Sequence, residues 1–272
     1  MSGRLWRRLL FVVWALAAAG CAAAPLPLPV PVVTPLATVT PAPAATATAL
    51  PTAAPAVPPT PAIDLTLIAP QVPPAVRRDV EAAVRAAAPG ICAALLIPCD
   101  FPVMVEIYPD QTAFDRAVMN PEMRGFFAAS GDGRIQMVSP ANVSSRDLTY
   151  EEATGIAAHE FVHLALDRIA ADLPDWLEEG TAVYLGPHEV YDAARGEPTL
   201  LAMAPSFARL RDEYDDVTAA DFFAFTAVEY LVLTYGLDAL NALLRDPVDL
   251  EGALGVSAEE FGAAWRAAIG AP

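Results

Sequence analysis

The run TGIAAHEFVHLAL carries His159, Glu160 and His163 within five residues of otherwise apolar sequence. The chain has only three histidines, and this pentapeptide uses two of them. In a helix, residues four apart lie on one face about one turn from each other, so the two imidazoles project side by side and can bind one ion. Glu160 is rotated by about 100° from His159, which lets it reach a water on that ion without being a ligand. Ile156, Ala157, Phe161, Val162, Leu164 and Leu166 make the helix apolar on several sides, as in a buried helix. Polar groups left there without partners would cost several kcal/mol in total, and a metal with its water satisfies all three. Core histidines satisfied by backbone carbonyls are the competing reading. That reading suits single histidines better than a pair at this spacing with a glutamate between them.

A catalytic zinc takes three protein ligands and keeps one position open. Two sources of a third ligand stand in the sequence. One is His188 in LGPHEVY, the remaining histidine. The other is a carboxylate in LPDWLEEGTAVY, where Glu179 falls sixteen residues after His163. A turn at ADLP folds this second helix back beside the first. Glu179 shares a face with Trp176, Ala182 and Val183, which suits packing on the HEFVH helix. Glu178 shares a face with Asp175 and Thr181, which suits solvent. Gly180 has no side chain and lets the two helices approach closely.

HEFVH followed by PDWLEEGTAVY resembles the gluzincin metallopeptidases, above all the small peptidase-MA-like domains; aminopeptidases of the aminopeptidase-N type are more distant relatives. FTAVEYLVLTYG and VSAEEFGAAWRA are similar to the helices that follow in these domains. The resemblance spans roughly residues 63–272, and its specific part is the zinc segment. It implies a zincin-like fold, Zn2+ as cofactor, His159, His163 and Glu179 as ligands, and Glu160 as general base. The reaction implied is peptide-bond hydrolysis. Zinc lowers the pKa of its water from 15.7 to about 7 and polarises the scissile carbonyl, while Glu160 passes the proton to the leaving amine. The sequence departs from the family in three places. The gap between His163 and the ligand glutamate is shorter than in the aminopeptidases, and no G-A-M-E-N-like stretch is present to recognise a free N-terminus. Where relatives often carry an oxyanion-binding tyrosine stands Asp221, which leaves Tyr191, Tyr214 and Tyr230 as candidates for that role.

The elements that must position these residues are legible from patterning. IDLTLIAP reads as a strand, PPAVRRDVEAAVRAAAPG as a helix closed by Gly90, FPVMVEIYP as an alternating strand and DQTAFDRAVM as a short helix. GFFAASGDGRIQMVSP reads as a hairpin turning at Gly131, Asp132 and Gly133, with GRIQMV either an edge strand along which a peptide can lie or an ordinary hairpin strand. From Thr149 the chain is helical. TYEE is a capping-box signature opening one long helix over LTYEEATGIAAHEFVHLALDRIAADL. Four more helices follow in PDWLEEGTAVYL, AADFFAFTAVEYLVLTYG, LDALNALLRD and SAEEFGAAWRAAIG. Strands with helices first, then helices alone, predict an α+β fold: an N-terminal mixed or antiparallel sheet followed by an all-helical part.

Upstream of this domain the composition changes. Arg4, Arg7 and Arg8 precede an apolar run, Leu9 to Ala19, too short to span a bilayer as a helix. AAGC resembles the lipobox of bacterial lipoproteins, with Ala18 in place of the usual leucine. That implies a signal peptide over residues 1–20, lipid on Cys21, and an extracytoplasmic protein anchored to the membrane at the bacterial cell surface. Residues 21–62 are mostly Ala, Pro, Thr, Val and Leu, a tether of polyproline II character reaching on the order of 120 Å. Cys92 and Cys99, with six residues between them, read as a disulfide in an oxidising compartment or as two buried thiols. A net charge of −17 argues against a nucleic-acid partner, which would need a basic patch. The expected partners are a peptide or protein substrate and, through the lipid, the membrane. Two other functions fit the same residues: a catalytically inactive binding lipoprotein on a peptidase fold, and a zinc hydrolase acting on something other than peptides. Intact Glu160 speaks against the first.

Overall fold

The computed structural model describes residues 63–118, 126–143, 148–187, 191–192 and 194–272; the signal segment, Cys21, the tether and His188 lie outside the described residues. Four strands, β1 (Asp64–Ile68), β2 (Pro102–Tyr108), β3 (Ala128–Gly131) and β4 (Arg134–Val138), form one mixed sheet in the order β1-β2-β4-β3. The first two and β4 run parallel, and β3 is antiparallel to β4. Helix α1 (Pro74–Ala94) connects β1 to β2, and α2 (Gln111–Val118) follows β2. After the single turn α3 (Pro140–Val143) come α4 (Tyr150–Leu166), α5 (Asp175–Leu185), α6 (Pro198–Ala202) and α7 (Phe207–Asp212). A 3-10 turn at Tyr214–Asp216 leads into α8 (Ala220–Tyr235), α9 (Leu237–Arg245), α10 (Leu250–Leu254) and α11 (Ala258–Ala268). The architecture is α+β, a small mixed sheet followed by helices. No helix among the described residues is long and apolar enough to cross a membrane.

Alternation in β2 turns Val103, Val105 and Ile107 into the core. Against that side α1 sets one stripe: Val76, Val80, Val84, Ala88, Ile91 and Cys92. The helix does not close at Gly90 but runs on to Ala94, through Pro89. Proline forfeits one backbone hydrogen bond, yet Ile91 and Cys92 continue the buried stripe beyond it, and Cys92 is disulfide-bonded to Cys99 (S–S 2.11 Å). Packing outweighs the local penalty.

Asp132 and Gly133 both have positive φ, 51° and 73°, as a two-residue hairpin turn requires. The hairpin folds β3 to the outside, so β4 lies between β2 and β3. Of the two readings of GRIQMV, the edge strand is therefore wrong and the hairpin strand holds; the edges of the sheet are Asp64–Ile68 and Ala128–Gly131. Pairing order depends on where the hairpin docks, which the strand's own residues do not encode.

Helix α4 starts where its capping box predicts. Thr149 Oγ1 accepts from the Glu152 N–H at 3.1 Å, and Glu152 Oε2 accepts from the Thr149 N–H at 2.6 Å. The helix ends at Leu166 rather than continuing through IAADL. After Leu166 the chain turns through Arg168 and Ile169, whose N–H groups donate to Ala165 and Leu166; Leu173, before a proline, is biased to extended backbone, and helix restarts at Asp175. This turn brings α5 back against α4.

Candidate metal centre

Every residue of α4 from Ile156 to Leu166 is buried, His159, Glu160 and His163 among them. His159 Nε2 lies 3.1 Å from His163 Nε2. Glu179 Oε2, from α5, lies 3.6 Å from the first and 3.5 Å from the second. Four donors about 2.0–2.1 Å from a tetrahedral ion sit about 3.3–3.5 Å from one another, so these three atoms form close to one face of such a tetrahedron. His163 Nδ1 lies 2.9 Å from Glu178 Oε1; a carboxylate only accepts, so Nδ1 carries the proton and Nε2 presents its lone pair to the centre. One proton on His159 Nε2 satisfies one neighbour at most. Glu179 Oε2 stays buried without a hydrogen-bond donor among the described residues. A cation at the centre of the triangle satisfies all three atoms, and the residues fit a metal ion.

The electrostatics agree. Burial pushes the Glu179 carboxyl up, but the adjacent His163 and His159 overcome this and hold it at about 2. It therefore presents an anionic oxygen at neutral pH. Glu160 is shifted the other way: burial raises it, and the opposing pull of His163 and His159 does not cancel the rise. Its Oε1 has no hydrogen-bond partner among the described residues. The Ser130 hydroxyl, on β3, is near enough to favour the ionised form of Glu160 but is itself without a hydrogen bond among them. Glu160 is thus a buried carboxyl beside the triangle and outside it.

Glu178 is not solvated, contrary to its reading as a surface residue. It is 3% exposed and grips His163 from the nitrogen facing away from the centre. An imidazole offers nitrogens on two sides, and two successive glutamates of one helix occupy both. The helical-wheel argument missed this because it gave α5 one partner, whereas α5 is wedged between α4 and α8 and has no solvent face at Glu178 or Thr181. Gly180 likewise serves a different contact from the one expected. A Cβ there would meet the Ala224 carbonyl oxygen at 2.5 Å and Val228 Cγ2 at 2.7 Å, so it admits α8 rather than α4. The close approach to α4 belongs to Gly186, where a Cβ would fall 3.2 Å from His159 Cα.

Helix α8 and the 3-10 turn before it bring a further pair to the site. The Tyr214 hydroxyl, on the turn, donates to Asp221 Oδ1, on α8, at 2.6 Å. Burial and the nearby Glu179 carboxylate push Asp221 up to about 7. Tyr214 and Tyr191 are both pushed well above 10, by burial first and then by Asp221 and Glu179. Of the three tyrosines singled out in sequence, these two face the site. Tyr230 instead packs with Tyr235 and Phe261, ring centroids 6.5 and 5.6 Å away. No protein-family model matches the chain, and no curated protein matches it either.

Proposed function

We propose that this protein is a zinc metallopeptidase of the gluzincin type, with a zincin-like fold, that cleaves peptide bonds. The observation that supports it most is the triangle of His159, His163 and Glu179, 3.1–3.6 Å on a side, with a second buried carboxyl, Glu160, next to it. Two nitrogens and one carboxylate oxygen are a zinc donor set, and three ligands leave a position open. Zinc bound there supplies a Lewis acid and acidifies its water. Glu160, a buried carboxyl beside the three ligands and not one of them, would serve as the general base, accepting a proton and passing it to the leaving amine. Glu178 holds the His163 ring in the tautomer that turns Nε2 inward. Strand β3 is packed over α4 at an edge of the sheet and brings Ser130 beside Glu160. The lipobox-like AAGC and the Pro-rich tether support a place outside the cytoplasm, anchored through lipid on Cys21.

Metal analysis combined with digestion of a broad peptide library tests the proposal. Purified protein is expected to hold one zinc per chain and to cleave internal bonds. Glu160→Gln is expected to keep the zinc and lose about 10²–10⁴-fold in turnover. Zinc retention with no cleavage by the wild type would instead support the binding lipoprotein. Unchanged turnover in Glu160→Gln would remove the base.

A further inference from the structure

Two buried polar atoms outside the triangle lack a hydrogen bond among the described residues, and they belong to neighbouring side chains: Glu160 Oε1 on α4 and Ser130 Oγ on β3. Glu160 is 1% exposed and Ser130 2%, so solvent scarcely reaches either. A buried polar atom without a partner costs free energy, and two of them side by side are not explained by packing. A residue that had only to fill space at this point of β3 would be apolar, as the two before it, Ala128 and Ala129, are.

We propose that Ser130 is a positioning residue for Glu160: its hydroxyl donates to Glu160 Oε1 and holds the carboxylate so that the second oxygen is the one left to accept a proton. The part of Glu160 as base, on which this rests, is that of the metallopeptidase reading. An ionised carboxylate only accepts, and a serine hydroxyl has one proton to donate, so the two groups are complementary when Glu160 is in the form a base must have. The hydroxyl reaches its staggered positions by turning one bond, Cα–Cβ, with the backbone of β3 unmoved. No covalent bond changes, and the serine keeps its proton.

The hairpin offers Glu160 no other donor side chain. Opposed residues of β3 and β4 share a face of the sheet, with Ser130 opposite Ile135 and Ala128 opposite Met137. All four are buried, and Ser130 alone among them is polar. Gln136, one residue along from Ile135, falls on the opposite face, where its Nε2 donates to Glu106 Oε2 at 2.8 Å and to the Tyr108 hydroxyl at 2.7 Å. On α4 itself, His163 is held between Glu178 and the triangle. The placement of Ser130 is fixed by its backbone, which lies in the β3–β4 ladder just before the tight turn at Asp132 and Gly133 and packs on α4.

The test uses the full chain and the variants Ser130→Ala and Ser130→Thr, with Ser130→Ala made also in Glu160→Leu, where nothing is left to accept from the hydroxyl. In urea unfolding of the metal-free protein, Ser130→Ala is expected to raise the unfolding constant about tenfold when Glu160 is present, as for one lost hydrogen bond, and not to raise it in Glu160→Leu. With zinc loaded, on a peptide that the wild type cleaves, Ser130→Ala is expected to lose about tenfold in kcat with KM changed by less than about threefold. Ser130→Thr, which keeps the hydroxyl, is expected to recover most of that loss; should it not fold, Ser130→Ala decides by itself. Zinc affinity, by competition with a chelator, is expected to be unchanged in Ser130→Ala. A wild type that holds zinc and cleaves nothing removes the metallopeptidase reading and leaves the unfolding cycle to decide the bond. Equal effects of Ser130→Ala with and without Glu160, wild-type kcat in Ser130→Ala, or weakened zinc binding in that variant would overturn the positioning role.

Discussion

Helices α1 and α4 pack on each other and are joined at one end by the Tyr150 hydroxyl donating to Asp79 Oδ2 at 2.8 Å, yet they are built on opposite plans. On α1 one stripe of six residues is buried and the charged residues between them face solvent or stand half-buried. Its stability is that of an ordinary amphipathic helix, and no polar group has to be explained. On α4 the burial is continuous from Ile156 to Leu166 and encloses two imidazoles and a carboxyl. A helix that needed only to pack would carry apolar residues there, because each buried polar group costs free energy unless it is partnered. The difference shows where the molecule gives up stability for a site: α1 supports, and α4 with α5 and α8 holds acidic groups together that solvent would keep apart.

That contrast can be broken by relieving the crowding. In the metal-free protein, Asp221 keeps its proton up to about 7 when folded but releases it near 3.8 when unfolded. The unfolded chain then binds fewer protons between these values, so stability falls as pH rises through them. Asp221→Asn removes this loss and is expected to stabilise the metal-free protein at pH 8 by on the order of 2–4 kcal/mol, with little gain at pH 4. Urea unfolding at the two pH values checks it. An equal gain at both would mean that Asp221 is not held neutral. Glu179 works in the opposite sense: its folded value of about 2 lies below the ordinary 4.5, so its contribution is present above 4.5 and is lost as pH falls toward 2.

Gly180→Ala attacks the contact rather than the charge. Its Cβ meets backbone of α8, which cannot swing aside as a side chain would. The expected net cost is about 2 kcal/mol, overpacking outweighing the better helix propensity, with weaker zinc binding because Glu179 moves with α5. Denaturation and chelator competition would show both effects; a stabilised variant would mean that α8 gives way. On the supporting side, Val84→Ala in α1 is expected to cost about 1.5–2 kcal/mol and to leave zinc affinity unchanged. A parallel loss of metal affinity would mean that the two helices are not separable in this way.

The sequence makes some of this legible and hides the rest. His159, Glu160 and His163 are placed by spacing alone, and Thr149 with Glu152 marks the helix start, because both are local patterns within one turn. Glu179 follows from the apolar face it shares with Trp176 and Val183. Glu178 does not, since its burial depends on a second helix, α8, arriving from more than forty positions later in the chain. The Asp221–Tyr214 pair has no local signature either: the two are joined across the break between a 3-10 turn and a helix, where neither helical nor strand periodicity applies. The edge position of β3 was hidden for the same kind of reason, being decided by how the hairpin docks on β2.

The most direct test of the centre is zinc affinity, measured by competition with a chelator, in Glu179→Gln and Glu178→Gln beside the wild type. Glu179 touches the triangle's centre through Oε2, and its loss is expected to weaken zinc by several orders of magnitude. Glu178 acts only through His163, and its loss is expected to weaken zinc by about 10–100-fold. Near-wild-type affinity in Glu179→Gln, with the large loss in Glu178→Gln instead, would contradict the assignment of His159, His163 and Glu179 as the ligands.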